Sequence, residues 1–100
     1  MKYGYVRSKE KSGYSIERQI NALKEHNVDE IVIESSGNDL EALIDKLQAG
    51  DTIYVESAER LTRDTHKMME IIDSVKEKAG EIYVGGKPFQ LLTLQDLMNM

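Results

Sequence analysis

Short runs of apolar and β-branched residues alternate with longer stretches of helical period along most of the chain. Lys2 to Arg7 (KYGYVR) is aromatic and β-branched and predicts a first strand. Ser8 to Tyr14, containing Gly13, reads as a loop. From Ser15, a good N-cap, Ile16, Ile20 and Leu23 recur at helical spacing, and this helix should end near His26-Asn27. Glu30 to Glu34 (EIVIE) predicts a second strand, broken by Ser35-Ser36-Gly37-Asn38. Leu40, Leu43, Ile44 and Leu47 form one apolar helical stripe, with Asn38 or Asp39 as its cap and Gly50 at the C′ position. Thr52 to Val55 (TIYV) is the third strand. A longer helix follows from about Asp64 to Lys78, burying Met68, Ile71, Ile72, Val75 and Ala79, with Gly80 as its end. Glu81 to Val84 (EIYV) is the fourth strand, and Gly85-Gly86-Lys87 is a turn. After Pro88 the pattern weakens, and Phe89 to Met100 reads as a short strand, a helix start or a tail.

This alternation predicts an α/β fold: a doubly wound, mainly parallel sheet of four to five strands with helices on both faces. The expected spatial order of the first four strands is 2-1-3-4. Sheets of this kind place their sites at the carboxyl ends of the strands. Here those ends are Arg7-Ser8, Glu34-Ser35, Glu56-Ser57 and Gly85-Gly86.

Composition narrows the classes. One hundred residues suffice for one domain, taken as 1–100 with 87–100 the least patterned part, and the 40% apolar share allows a modest core. There is no Cys, so disulfides, thiolate metal sites and cysteine nucleophiles are excluded. No apolar run approaches the roughly 20 residues that span a bilayer, and the N-terminus has no signal-peptide core. A cytoplasmic protein without a membrane partner is expected. The net charge of -5 opposes strong non-specific nucleic-acid binding, though it leaves room for a local basic site.

Two groups of residues stand out for chemistry. One is Arg7-Ser8 at the end of the first strand; the other is Glu59-Arg60-Leu61-Thr62-Arg63, just before the long helix. Arg60 and Arg63 precede a helix capped by Thr62 or Asp64, where cations oppose the helix dipole. A bound anion would remove that conflict, since helix N-termini and guanidinium forks both suit phosphate. The simpler alternative is two solvated arginines paired with Glu59 and Asp64, and a turn serine at Ser8. His26 and His66 read as isolated, solvated helix residues. No metal-ligand spacing and no phosphate-binding glycine loop occurs, so neither a metal nor another cofactor is expected.

These residues resemble the resolvase/invertase (serine recombinase) family. Tyr3-Gly4-Tyr5-Val6-Arg7-Ser8 looks like that family's tyrosine-alanine-arginine-valine-serine start. Gly13-Tyr14-Ser15-Ile16-Glu17-Arg18-Gln19 followed by Leu23 is similar to its first helix. Ser36-Gly37 resembles its serine-glycine loop, Ala49-Gly50-Asp51-Thr52 the opening of its third strand, and Arg60-Leu61-Thr62-Arg63 its arginine-leucine-x-arginine motif. The matches run in the family's order over about residues 2 to 85. The resemblance implies metal-free DNA strand cleavage and exchange through a phosphoserine. Ser8 would be the nucleophile, Arg7, Arg60 and Arg63 the phosphate-binding and catalytic cations, and Glu59 a supporting acid. The implied partners are DNA and a second copy or another recombinase subunit.

The chain also departs from that pattern. Ser8 follows Arg7 directly and Lys9 stands where the family has serine; the loop to Gln19 is one residue longer. Glu59 replaces an aspartate, Glu34 is the acid before a shortened serine-glycine loop, and no arginine follows Ser36-Gly37. The family's long dimerisation helix and DNA-binding domain are not among these 100 residues, as in a fragment or a reduced protein. The rival readings are a recombinase-like protein-interaction or regulatory module and a small phosphate- or nucleotide-binding domain.

Overall fold

A computed structural model of the chain describes residues 1–8 and 13–89. In chain order it comprises β1 (Lys2–Val6), α1 (Gly13–Lys24), β2 (Glu30–Ile33), α2 (Asp39–Asp45), β3 (Thr52–Val55), a 3-10 turn (Ala58–Arg60), α3 (Thr65–Glu77), β4 (Glu81–Val84) and β5 (Lys87–Pro88). The sheet order is β2-β1-β3-β4-β5. β1 pairs parallel with β2 and β3, and β3 with β4, as the alternation of elements predicts. β5 joins antiparallel through a hairpin at Gly85-Gly86, whose φ of +57° and +82° are those of a tight primed turn. Residues 90–100 of the apolar C-terminal stretch lie outside the described residues.

Strand alternation divides the core in two. Tyr3, Tyr5, Ile53, Val55 and Ile82 face Leu40, Leu43, Ile44 and Leu47 of the α2 region and Ile72 and Val75 of α3. Val6 and Tyr54 face Leu23 of α1, with Ile16, Ile20, Ile31 and Tyr83 packed around them. Helices therefore cover both faces of the sheet. Among the described residues no helix is long and apolar enough to cross a membrane.

Several local expectations are corrected. β1 stops at Val6, because the backbone of Arg7 bonds to a side chain rather than to a neighbouring strand. Ser15 is not a cap: α1 begins two residues earlier, and the Ser15 carbonyl and hydroxyl accept from Gln19 inside the helix, at 3.3 and 3.5 Å. Neither Asn38 nor Asp39 caps α2 by its side chain in the expected way. The Glu34 carboxylate does so, accepting from the amides of Asp39 and Leu40 at 3.1 and 3.2 Å. Gly50 is not the C′ residue of α2, which ends at Asp45; it turns the chain into β3 with φ +88°.

Ala79 is not buried on α3 but lies beyond it in the left-handed region, at φ +57°. Gly80 serves a different need: a Cβ there would sit 3.0 Å from the Asp51 carbonyl oxygen. His26 is likewise no solvated helix residue. It follows α1, and its ring stacks on Tyr54 with centroids 5.6 Å apart, while Tyr54 stacks on Tyr83 at 4.7 Å. His66 is exposed on the first turn of α3, as expected.

Two neighbouring substitutions should therefore have opposite signs. Ala79→Gly should raise unfolding stability by about 0.5–1 kcal/mol, because it relieves a left-handed Cβ. Gly80→Ala should lower it by about 1–3 kcal/mol through overpacking. Urea denaturation followed by circular dichroism measures both, and two changes of the same sign would contradict this account.

Candidate anion site at the carboxyl rim

The rim between β1 and the start of α3 is built around two buried side chains. Gln19, fully buried on α1, clamps the residue after β1: its Oε1 accepts from the Arg7 amide at 3.2 Å and its Nε2 donates to the Arg7 carbonyl at 3.0 Å. Leu61, 1% exposed, drops into the α2–α3 side of the core and pins the segment that carries Arg60 and Arg63. The two anchored segments are tied together. Arg7 Nη1 donates to the Leu61 carbonyl and Arg60 Nη1 to the Arg7 carbonyl, both at 3.3 Å.

Arg7, Arg60 and Arg63 thereby line one open cavity of about 260 Å³, with Glu59, Thr62, Asp64 and Lys67. The arginines are not equivalent. The Arg60 side chain is 18% exposed and ion-paired to Glu56 at 3.5 Å. The Arg63 side chain is 67% exposed and, among the described residues, pairs with Glu59 at 3.6 Å on the surface. Such a pair contributes little and leaves Arg63 free to reorient. Asp64 does not pair with an arginine; it caps α3, accepting from the His66 and Lys67 amides at 2.9 and 3.3 Å. Ser8 is half-buried next to Arg7 and is not among the described residues that line this cavity. The structure thus brings together Arg7, Arg60, Arg63 and Glu59, with Ser8 beside them in the chain. Among the described residues no group of three or more His, Cys, Asp or Glu is placed to hold a metal ion.

A second cavity of about 170 Å³ lies on the other side of Arg7, lined by Tyr5, Glu34, Glu41, Lys67 and Glu70 among others. Here Glu34 accepts from the Tyr5 hydroxyl at 2.7 Å, besides capping α2. Burial first, and then the neighbouring Glu34 carboxylate, push the Tyr5 phenol well above its ordinary range. Asp39 accepts from the amides of Ser35 and Ser36 at 2.7 and 3.1 Å, which hold its carboxyl below the usual range. Glu34 is thus committed to structure as well as lying at the rim.

Sequence reasoning missed Gln19 and Lys67 as site residues. Gln19 interrupts the apolar stripe of Ile16, Ile20 and Leu23, which is the mark of a buried amide with a fixed partner. Lys67 continues the spacing of Arg60 and Arg63 by one helical step.

A mainly parallel sheet covered on both faces, with an arginine-lined rim at its strand ends, is the architecture of an α/β domain of the resolvase type. The sequence profile described as "Resolvase, N terminal domain" matches residues 2–96, and the chain belongs to that family. It is 34% identical over 90 residues to a resolvase of Clostridium perfringens (strain 13 / Type A), an alignment covering 82% of this chain and 47% of the relative. It is 33% identical over 87 residues to the transposon Tn1546 resolvase of Enterococcus faecium, covering 81% of this chain and 45% of the relative. The chain therefore spans about half the length of these relatives. In fold it is similar to the C-terminal catalytic domain of ISC1926 TnpA, an IS607-like serine recombinase. The TM-score is 0.69 at 19% identity, over 98% of this chain and 78% of that one.

Two measurements check this geometry. Gln19→Ala should cost about 1–3 kcal/mol by stranding the Arg7 amide and removing one of two donors to the Arg7 carbonyl, and should speed hydrogen exchange at the Arg7 amide. An unchanged Arg7 exchange rate would contradict the clamp. The second concerns pH. A depressed folded-state pKa at Asp39 contributes stability that is complete above its ordinary value of 3.8 and is lost as pH falls below it. Melting temperature should therefore fall from about pH 5 to about pH 2.5 more steeply in the wild type than in Asp39→Asn.

Proposed function

We propose that this rim holds a DNA phosphodiester and that the domain belongs to a DNA strand-cleaving and rejoining machine. The observation that carries the reading is the convergence of Arg7, Arg60 and Arg63 on one cavity at the carboxyl end of β1. Guanidinium forks match phosphate oxygens in geometry and charge. The family membership and the resolvases among its relatives support the same substrate.

In this reading Ser8 is the nucleophile. Its Oγ would bond to phosphorus while the bond from phosphorus to a deoxyribose oxygen breaks, and the proton that the hydroxyl gives up would be balanced by the one the departing sugar oxygen takes. Reversal of the same exchange rejoins the strand, so no external energy source is needed. Arg60, held by Arg7 and Glu56, supplies a preorganised positive charge; Arg63 reaches in from the surface. Glu59 supports the site by pairing with Arg63.

The alternative of a recombinase-like module that binds a protein partner is favoured by the net charge of -5 and by the direct succession of Arg7 and Ser8. Both lie beyond the end of β1, and Arg7 lines the cavity while Ser8 is not among its described lining residues, so the two need a local shift to converge. A displacement of about 1 Å can cost on the order of 100-fold in rate, and a missing transition-state donor about 100- to 1000-fold.

Two experiments follow. In a sulfate titration, amide resonances of residues 57 to 66 should move more than those of distant surface residues, and Arg60→Ala should suppress the movement. Uniform, small shifts would exclude the anion site. With supercoiled plasmid as substrate, the 100 residues alone should give little covalent protein–DNA adduct. A robust adduct that disappears in Ser8→Ala would establish efficient cutting instead.

A further inference from the structure

Glu56 is the residue that follows β3. One of its oxygens, Oε1, accepts from two arginines at once: Arg18 Nη2 of α1 at 3.1 Å and Arg60 Nη2 at 3.5 Å. It joins α1 to the turn that carries Arg60, two elements that the Gln19 clamp and the Arg60–Arg7 bond also link by way of Arg7. The Arg18 side chain is 55% exposed, so its partnership with Glu56 is made in the open. Arg60 is more constrained. Its Nη1 is spent on the Arg7 carbonyl, its Nε is buried without a partner in the described structure, and its Nη2 faces Glu56.

We propose that Glu56 is a positioning residue that sets how tightly the rim grips a phosphate. Its carboxylate occupies, on Arg60 Nη2, the place that a phosphate oxygen would take. The same oxygen also accepts from Arg18. A phosphate that engages the Nη1–Nη2 end of Arg60 meets a carboxylate on the same nitrogen, and like charges at that separation repel. The ligand must therefore displace Glu56 from Arg60 or bind Arg60 through its remaining protons alone. When Glu56 gives way, its shared contact with Arg18 is lost as well. The arrangement favours weak, reversible capture of one phosphate over tight storage, and it makes Glu56 the competitor built into the site. This inference rests on the anion site proposed above.

The test is a titration with inorganic phosphate, followed by amide and arginine side-chain resonances, on the wild type and three variants of the full chain. Glu56→Gln removes the charge. Glu56→Asp keeps the charge but shortens the arm, so that one carboxylate no longer spans Arg18 and Arg60. Glu41→Gln removes a carboxylate from the neighbouring cavity and controls for long-range charge. Amide spectra without phosphate check that each variant is folded, and the conservative Glu56→Asp keeps the test available if Glu56→Gln is not. Glu56→Gln should tighten apparent phosphate binding about two- to fivefold, the range expected for losing an exposed ion pair as competitor. Glu56→Asp should tighten it in the same direction, and Glu41→Gln should change it less than either. If Glu56→Asp binds as the wild type does, or Glu41→Gln matches Glu56→Gln, long-range charge alone is at work and the proposal is overturned. Weaker binding in Glu56→Gln overturns it too, since Glu56 would then be holding Arg60 in its productive place. If neither the wild type nor Glu56→Gln shifts residues 57 to 66, the anion site itself fails along with this proposal.

Discussion

Tyr54 leaves β3 on one side and Ile53 and Val55 on the other, and all three are buried. A parallel sheet cannot leave either side wet, because its crossover connections return over its faces and its strands are apolar on both. In this chain α1 covers one face and α2 with α3 the other. Each strand then hands the chain to its helix at the same rim. Arg7, Glu34 and Glu56 follow β1, β2 and β3 in turn, so charged side chains collect there without any long-range design.

What turns that collection into a candidate site is the burial of two residues that bear no charge. Leu61 sits between Arg60 and Arg63 and is sunk in the core, so it fixes the segment that carries both. Gln19 replaces the missing strand ladder at Arg7, satisfying an amide and a carbonyl with one side-chain amide. A buried amide left half-paired would cost more than it gains, so this clamp is strongly specified. The cations themselves remain partly wet, where a charged ligand can reach them.

Acidic residues temper the same rim. Glu56 and Glu59 pair with Arg60 and Arg63, Asp64 caps α3, and Glu34 caps α2 and accepts from Tyr5. The positive charge is local and conditional, which reconciles an arginine cavity with a chain whose net charge is -5. Charges paired at such close range project little field beyond about 10 Å at ordinary ionic strength.

The first four strands, the helices and their order were legible in the sequence because each rests on local periodicity, whereas the antiparallel β5 was not. KYGYV, EIVI, TIYV and EIYV alternate with stripes at helical spacing, and a parallel order follows from that alternation. The ERLTR group was legible as well, since its leucine and arginines stand side by side just before a helix. Element ends were not: Ser15, Gly50 and Ala79 have suitable residue types around them, but long-range contacts decide each case. The Asp51 carbonyl demands glycine at position 80, and so position 79 bears the left-handed turn. The pairing of charges was equally out of reach. Arg60 chose Glu56 over Glu59 or Asp64, and Glu34 became a helix cap, because the fold brings those oxygens to 3.5 Å from Arg60 and to 3.1 and 3.2 Å from the first amides of α2. Sequence determines which side chains are available and which faces they lie on. Which of them touch is settled only when helices from both faces close on one rim.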